Sequence, residues 1–212
     1  MDTAQRGKFI VFEGGEGAGK STQVKLLAEE LARQGLEVVA TREPGGTPLG
    51  VAIRRLVLDP TAPNPEPRAE LFLYAADRAQ HVAEVVGPAL NTGKWVISDR
   101  FTLSTIAYQL YGRNIQVAED WVDPLKRALV VAAAGWVPDL TLVLEVPVEV
   151  GLMRAGRGGP DRMESMGEGF HETVRQAYRE LAAGERNTYV IDADRPAAEV
   201  HAEVMKRVKP LL

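Results

Sequence analysis

The sequence predicts an α/β fold with a five-stranded parallel sheet and helices on both faces. Two features support this prediction. Short runs rich in β-branched residues alternate along the chain with longer stretches of helical periodicity. The predicted strands are also largely apolar runs, as expected of parallel strands that are buried on both faces. The length of 212 residues suits a single domain, taken here as residues 1–212.

Each element follows from its local pattern. Strands are predicted at residues 8–13 (KFIVFE), 36–41 (LEVVAT), 94–98 (KWVIS), 140–146 (LTLVLEV) and 188–191 (TYVI). The helix at 20–34 ends at Gly35, and the helix at 49–58 places Ile53, Leu56 and Val57 on one side. Helical patterns also cover residues 69–86, 102–111, 117–134, 149–155, 170–183 and 196–208. Residues 156–169 hold five glycines and a proline, which predicts a mobile loop.

Composition excludes several classes of protein. The 25 Lys and Arg against 29 Asp and Glu give a net charge of −4, which argues against bulk nucleic-acid binding. An apolar content of 45% argues against disorder as the main state. The longest apolar run, residues 128–137, is half the length needed to cross a bilayer, and we expect neither a secretory signal nor a membrane partner. The absence of cysteine is compatible with a cytoplasmic protein.

Residues 14–21 (GGEGAGKS) match the phosphate-loop pattern G-x-x-x-x-G-K-[ST], between a predicted strand and a predicted helix. Glycines let backbone N–H groups curl around phosphate oxygens, and the helix N-terminus adds partial positive charge. Lys20 supplies a charge for the β- and γ-phosphates, and the Ser21 hydroxyl is a ligand for Mg²⁺. The sequence therefore predicts a nucleoside triphosphate site formed by Gly14, Gly15, Glu16, Gly17, Ala18, Gly19, Lys20, Ser21 and Thr22.

Three charged residues extend this site. A carboxylate inside a phosphate loop is repelled by the triphosphate, so Glu16 is expected to turn away and meet a group such as a sugar hydroxyl. The alternative is a solvated loop carboxylate. Asp99 and Arg100 follow the strand at 94–98, at the carboxyl edge where open α/β sheets bind ligands. Asp99 can hold Mg²⁺ and Arg100 can fork onto a phosphate, although such a pair alone is more commonly a surface ion pair.

Pairs of residues spaced by four share one face of a predicted helix and together suit a flat base. These pairs are Tyr74 with Arg78, Ser104 with Tyr108, and Thr105 with Gln109. Such side chains stack on a ring and hydrogen-bond its edge. Spacing alone, however, favours ordinary half-buried aromatic residues at Tyr74 and Tyr108.

Together these segments resemble the thymidylate kinase family, which makes dTDP from dTMP. Residues 9–22 (FIVFEGGEGAGKST) resemble its phosphate loop, and residues 41–47 (TREPGGT) resemble its second signature. Residues 99–109 (DRFTLSTIAYQ) are similar to its D-R-[YH]-x-x-S-x-x-A-Y-Q segment. Residues 138–146 (PDLTLVLEV) and 161–164 (DRME) are similar to its fourth strand and the end of its lid. The resemblance implies the P-loop NTPase fold of the nucleoside monophosphate kinase type.

The resemblance also implies roles for individual residues. Glu16 would contact the 3′-hydroxyl of the acceptor sugar, and Tyr108 would crowd its 2′ position. Arg100 would hold the dTMP phosphate, with Arg42, Glu43 and Pro44 lining that end of the site. At the base, Tyr74 would stack on thymine, Arg78 would reach O4, and the edge would face Thr105 and Gln109. Arg54 would help close the pocket.

A lid at about residues 154–167 is implied in the same way. Some members carry an arginine inside the phosphate loop, whereas others supply it from the lid. This chain has Gly17 at the loop position, so the lid pattern applies, with Arg157 as the first choice for the catalytic arginine ahead of Arg154 and Arg162. Such an arginine neutralises charge on the transferring phosphoryl group.

The resemblance implies ATP as phosphoryl donor, Mg²⁺ as cofactor, dTMP as acceptor and a homodimer. Catalysis would depend on Lys20, Asp99, Arg100 and Arg157. Two alternatives are a P-loop kinase for another pyrimidine monophosphate such as dUMP, and a nucleotide-gated regulatory protein. Tyr108 argues against a ribonucleotide acceptor, and a regulatory protein would need neither a second anion site nor a cationic lid.

Overall fold

A computed structural model describes residues 6–115, 132–156 and 161–212. Within these residues, five strands form one sheet in the order β2-β3-β1-β4-β5, and every neighbouring pair is parallel. The predicted α/β fold with a five-stranded parallel sheet is confirmed. The strands are β1 (Phe9–Gly14), β2 (Val38–Arg42), β3 (Trp95–Asp99), β4 (Leu140–Glu145) and β5 (Thr188–Asp192).

The helices described lie close to the predicted ones. They are α1 (Lys20–Arg33), α2 (Pro48–Leu58), α3 (Pro67–His81), α4 (Gly87–Asn91), α5 (Thr102–Thr105), α6 (Val148–Ala155), α7 (Glu168–Gly184) and α8 (Ala197–Val208). A final 3-10 turn is formed by Lys209–Leu211. Most of the helix predicted at 117–134 lies outside the described residues.

Two helical segments differ from the α-helical prediction. A π-helical stretch at Val82–Val86 joins α3 to α4, and a second one, Ile106–Gly112, continues α5. In the second, the Arg113 N–H donates to the Tyr108 carbonyl oxygen at 2.8 Å, five residues back. Spacing in sequence does not distinguish this wider turn from an α-helix. Segments of this kind are frequent at functional sites.

Apolar packing on both faces buries the central strand β1. Ile10 and Phe12 face α1 and α8, whereas Phe9 and Val11 face the helical segment that follows α3. All four side chains have 0% exposure. Full burial of one such side chain contributes about 1.5–3 kcal/mol, so these layers hold the carboxyl ends of β1, β2 and β3 in place. None of the helices in the described ranges is long and apolar enough to cross a membrane.

Candidate functional site

The loop between β1 and α1 is close-packed against its neighbours. Gly14 has a φ of 132° and Gly17 a φ of 61°, which L side chains rarely adopt. A Cβ on Gly14 would collide with the carbonyl oxygen of Leu144, and one on Gly17 would collide with that of Gly151. Both glycines are therefore required by this loop shape, and an arginine at position 17 is sterically excluded.

The loop carries free donors and one buried cation. The N-cap residue of α1 is Gly19, which provides no side-chain cap, so the first N–H groups of the helix are available to an anion. The Lys20 ammonium donates to the carbonyl oxygens of Gly14 at 3.1 Å and Gly15 at 2.7 Å. Burial lowers the pKa of Lys20, and the nearby Arg100 guanidinium lowers it further. This arrangement presents a cation and N–H groups at the same point.

Arg100 occupies a strained backbone position directly after β3. Its φ of 75° lies in the left-handed region, which costs a non-glycine residue about 1–3 kcal/mol. The Arg100 N–H donates to the carbonyl oxygen of Phe12 at 2.8 Å, and the carbonyl oxygen of Arg100 accepts from the Ser98 hydroxyl at 2.8 Å. These bonds turn the side chain back across the end of the sheet.

The Arg100 guanidinium is the centre of the site. Its Nη1 donates to the Gly14 carbonyl oxygen at 3.0 Å, and its Nη2 donates to Glu16 Oε1 at 2.8 Å. The guanidinium also lies over the Tyr108 ring, at 4.9 Å from the ring centroid. Because Lys20 donates to the same Gly14 oxygen, two cations lie side by side at the end of β1.

Glu16 turns away from the phosphate loop. Its Oε1 accepts from the Tyr108 hydroxyl at 2.7 Å as well as from Arg100. Burial favours the neutral acid, but the charges of Arg100 and Lys20 outweigh it and lower the pKa of Glu16 to about 2. The carboxylate is therefore ionised at neutral pH, and it faces a cavity beside the phosphate loop.

That cavity, which we call the acceptor cavity, is a cleft of about 490 Å³ that is open to solvent, and it lies between the carboxyl edge of the sheet, α2, α3 and α5. Of the predicted acceptor residues, all except Arg42 line it, namely Glu16, Glu43, Pro44, Arg54, Tyr74, Arg78, Arg100, Ser104, Thr105, Tyr108 and Gln109. Leu58, Phe101, Asp161 and Met163 complete the lining.

Several of these predicted residues are hydrogen-bonded to neighbouring protein groups. Glu43 lines the cavity, and its carboxylate accepts from Arg78 Nε at 2.9 Å and lies 2.8 Å from His81 Nδ1. The Gln109 amide nitrogen donates to the buried Glu70 at 2.8 Å. Thr105 accepts from Arg78 at 2.9 Å. Arg54 donates to the Pro44 carbonyl oxygen at 3.1 Å.

A separate, more open pocket lies beside Ser21 at the end of the phosphate loop. Ser21, Arg42 and Asp99 line it together with Thr41 and Gly45. Hydroxyl and carboxylate oxygens are the donors that Mg²⁺ prefers, and this ion characteristically keeps waters and substrate phosphates as its other ligands. The two protein oxygens at Ser21 and Asp99 therefore fit this ion. In the described ranges, no cluster of three His, Asp or Glu side chains offers a metal site made by protein alone.

The arginines of the predicted lid lie in different places. Arg154 donates to the Ala193 carbonyl oxygen at 3.2 Å and to Asp194 at 3.0 Å, on the β5 side of the sheet. Arg162 donates to the carbonyl oxygens of Leu56, Asp59 and Ala62, at the end of α2 and just beyond it. Arg157, our first choice, lies outside the described residues.

Part of the predicted mobile loop is held in a defined turn. Asp161 Oδ1 accepts from the N–H groups of Met163 and Glu164, while the Glu164 carboxylate accepts from the Asp161 N–H at 3.1 Å. This reciprocal pattern is a capping box, whose D-x-x-E signature stands in the sequence. Residues 161–167 therefore pack against α2 as a turn before α7 begins at Glu168.

Sequence reasoning missed the groups that support Arg100. Glu13 is fully buried at the end of β1 and accepts from the N–H groups of Phe101 at 3.0 Å and Ser104 at 3.2 Å. The Tyr178 hydroxyl, on α7, contacts Ser104 at 2.8 Å and lies 3.3 Å from Arg100 Nη1. A glutamate inside an otherwise apolar strand was the available signal for Glu13, whereas Tyr178 had none.

Asp77 is a buried carboxyl beside the site, and it supports a prediction about stability. Its Oδ1 accepts from the Gly45 N–H at 3.0 Å, whereas Oδ2 has no partner within the described residues. Burial, assisted by the nearby Glu43 carboxylate, raises the pKa of Asp77 from 3.8 to about 6. A carboxyl with a raised folded-state pKa favours the folded protein at low pH, and that advantage is lost as pH rises. The free energy of unfolding should therefore fall by about 1–2 kcal/mol between pH 5 and pH 8 through this group.

Asp77→Asn is expected to remove this part of the pH dependence while keeping the acceptor for Gly45. Denaturant unfolding at pH 5 and pH 8 measures the difference. Asp192→Asn, at an exposed aspartate, serves as the control and should leave the difference unchanged. A variant at Asp77 with the wild-type pH difference would contradict the prediction.

Fold and site together define the class of protein. A parallel sheet with a phosphate loop, two adjacent cations and a separate polar cavity beside them is the arrangement of a P-loop kinase for a small acceptor. The comparisons with known proteins agree. The family model described as thymidylate kinase matches residues 12–204. The chain belongs to the thymidylate kinase family.

Curated relatives match nearly the whole chain. The thymidylate kinase of Halothermothrix orenii is 48% identical over 211 residues, covering 98% of this chain and 99% of that protein. That of Pelotomaculum thermopropionicum is 48% identical over 210 residues, covering 98% of this chain and 95% of that protein. That of Methylococcus capsulatus is 46% identical over 213 residues and covers 97% of each chain.

Proposed function

We propose that this protein transfers the γ-phosphoryl group of ATP to dTMP, giving dTDP and ADP. The observation that carries the proposal is the shared carbonyl oxygen of Gly14, which accepts from Lys20 on the donor side and from Arg100 on the acceptor side. Two phosphate-binding cations held side by side bring a donor and an acceptor phosphate into contact. A nucleotide-gated regulatory protein has no need of the second cation.

The base end of the cavity supports a pyrimidine with a carbonyl group. Nη1 of Arg78 is buried and has no partner in the part of the chain that the structure describes, so this nitrogen is the donor left for a base oxygen. Tyr74, one helical turn before Arg78, lines the same cavity and provides a ring for stacking. Tyr108 and Glu16 face the sugar between the base and the phosphate.

The chemistry needs positioning and charge neutralisation. The acceptor phosphate is already anionic at neutral pH, so in-line attack on the γ-phosphorus requires no general base. Arg100 orients that phosphate, Lys20 and the free N–H groups of α1 hold the donor, and Arg157 is proposed to neutralise charge as the phosphoryl group moves. Mg²⁺, held by Ser21 and Asp99, would supply further neutralisation of the donor phosphates. Closure of the lid would exclude water, which otherwise hydrolyses ATP.

A homodimer also belongs to the proposal. Leu49, Val51 and Leu56 on α2 and Phe72 on α3 are large apolar side chains with exposures of 46–65%. Two neighbouring helices thus present apolar surface of the kind that subunit interfaces cover. A cytoplasmic location is also proposed.

ADP release with ATP and Mg²⁺ against dTMP, dUMP, UMP, dCMP and AMP tests the proposed function. We expect ADP release that depends on dTMP, because the polar groups of the site match the edge of a base that carries a 4-carbonyl group. Uracil has the same edge and lacks only the 5-methyl group, so dUMP is expected to be a poor second through the loss of that apolar contact, which is worth about 10–200-fold. Equal or better turnover with dUMP would assign the alternative pyrimidine acceptor. ADP release that is independent of every monophosphate would overturn the kinase function in favour of a regulatory protein.

A further inference from the structure

A buried chain of hydrogen bonds leads from Arg78 away from the acceptor cavity. Nε of Arg78 donates to Glu43 Oε2 at 2.9 Å, and Glu43 Oε1 lies 2.8 Å from Nδ1 of His81. The other ring nitrogen of His81, Nε2, lies 2.7 Å from the Thr41 hydroxyl. His81 has 0% exposure and does not line the acceptor cavity.

The order of donors along this chain follows from the chemistry of its members. The Glu43 carboxylate only accepts, so Nδ1 of His81 carries the proton that lies between them. Nε2 of His81 is then left for the Thr41 hydroxyl, which can donate to that nitrogen or accept from it. Each Glu43 oxygen thus receives one donor, from Arg78 on one side and from His81 on the other.

The imidazole of His81 is also held sterically. A Cβ on Gly46 would lie 2.5 Å from Cδ2 of His81, so the loop after β2 packs directly on the ring. A ring that is hydrogen-bonded at both nitrogens and packed against this loop has little freedom to turn. It holds the Glu43 carboxylate in one orientation, and the carboxylate in turn orients the Arg78 guanidinium.

Arg78 leaves one nitrogen for recognition. Nη2 donates to the Phe101 carbonyl oxygen at 2.8 Å and to the Thr105 hydroxyl at 2.9 Å. With Nε on Glu43 and Nη2 so engaged, Nη1 remains without a partner in the described residues. The Nη1–H bonds lie in the plane of the Arg78 guanidinium. Glu43 helps to fix that plane, because its carboxylate accepts from Nε of the same group.

We propose that His81 is a positioning residue for base selection, acting through Glu43 on Arg78, with Thr41 at the far end of the same chain. The proposal rests on the proposed function, since it assigns Arg78 to a base carbonyl oxygen. A fixed N–H favours an acceptor such as the 4-carbonyl of dTMP and disfavours a donor such as the 4-amino group of dCMP. Loss of His81 leaves Glu43 Oε1 buried without its donor, which is energetically unfavourable. We expect the Glu43 carboxylate to turn toward another donor and the Arg78 guanidinium to move with it.

The test compares His81→Leu with His81→Asn. The leucine variant removes the donor to Glu43, whereas the asparagine amide nitrogen can occupy the place of Nδ1. For each variant, kcat and KM are measured with dTMP and with dCMP, and binding of both nucleotides is measured by calorimetry. We expect His81→Leu to lower the dTMP-to-dCMP ratio of kcat/KM about tenfold, through KM for dTMP, with KM for ATP unchanged. His81→Asn should restore most of the ratio.

Thr41→Val provides a second variant. Valine keeps the shape of the threonine side chain but removes its hydroxyl, and this variant carries the test alone if His81→Leu does not fold. It should lower the same ratio about threefold, and it should have no further effect in the His81→Leu background because both act along one path. Equal losses on dTMP and dCMP, or an unchanged ratio in the folded variants, would overturn the proposal. A wild-type protein that does not prefer dTMP to dCMP, in turnover or in binding, would instead overturn the proposed function and this inference with it.

Discussion

Replacing Arg157 by alanine is expected to lower kcat for phosphoryl transfer by about 10³-fold, with little change in KM for ATP or dTMP. The loss would fall on kcat because this cation is proposed to act on charge that develops only as the phosphoryl group moves. The phosphate loop offers no substitute, since a side chain at Gly17 would collide with the carbonyl oxygen of Gly151. Steady-state kinetics with both substrates varied measures the effect.

Arg154→Ala is the matched control, because it removes an arginine from the same predicted lid. The Arg154 guanidinium donates to Ala193 and Asp194, which follow β5 at the edge of the sheet away from the acceptor cavity. We therefore expect less than a threefold change in kcat. The roles of the two residues would be exchanged if Arg154→Ala lost turnover while Arg157→Ala did not. Unchanged turnover in both variants would remove the lid arginine from the mechanism.

Replacing Lys20 by methionine is expected to lower kcat/KM for ATP by about 10²–10³-fold, the usual cost of losing one preorganised charge at a phosphate. Methionine keeps most of the length of the side chain but none of the charge, and the side chain is buried against the loop. Arg100 and Glu16 keep their own ion pair in this variant, so dTMP binding should change much less than kcat/KM for ATP, even though Lys20 and Arg100 share the Gly14 carbonyl oxygen. Kinetics with ATP and calorimetry with dTMP separate the two effects.

Lys25→Met, on the same helix, controls for the loss of a positive charge. Lys25 is exposed, with 77% of its side chain accessible, and its ion pair with Glu29 is long at 4.0 Å. Such a pair contributes little, and we expect kinetics close to wild type. Strong loss in Lys25→Met, or weak loss in Lys20→Met, would contradict the assignment of Lys20 to the donor phosphates.

Local pattern was sufficient for the architecture. Apolar strand runs and helical periodicity placed all five strands within about two residues. Burial on both faces leaves a strong signal in the inner strands β1, β3 and β4, whereas the edge strands β2 and β5 are only partly buried and were recognised by their β-branched residues. Phosphate-loop spacing was equally clear, since the pattern places glycine at positions 14 and 19, where φ is 132° and 89° and side chains are disfavoured. The π-helical turn at Ile106–Gly112 was not predictable, because hydrophobic spacing does not separate it from an α-helix over so few residues.

The site, like the fold, was predictable from the sequence only in part. The sequence by itself determined the fold class and the phosphate loop, because these depend on residue type and short-range spacing. Most of the residues that line the acceptor cavity were named with the help of the family resemblance, whereas Leu58, Phe101, Asp161 and Met163 were not predicted. Only the tertiary structure decided which polar side chains pair with one another. It joined Glu16 to Arg100, Glu43 to Arg78 and His81, and Gln109 to Glu70. Such pairings join residues 35 or more positions apart in the chain, and they depend on how separate strands and helices are packed together.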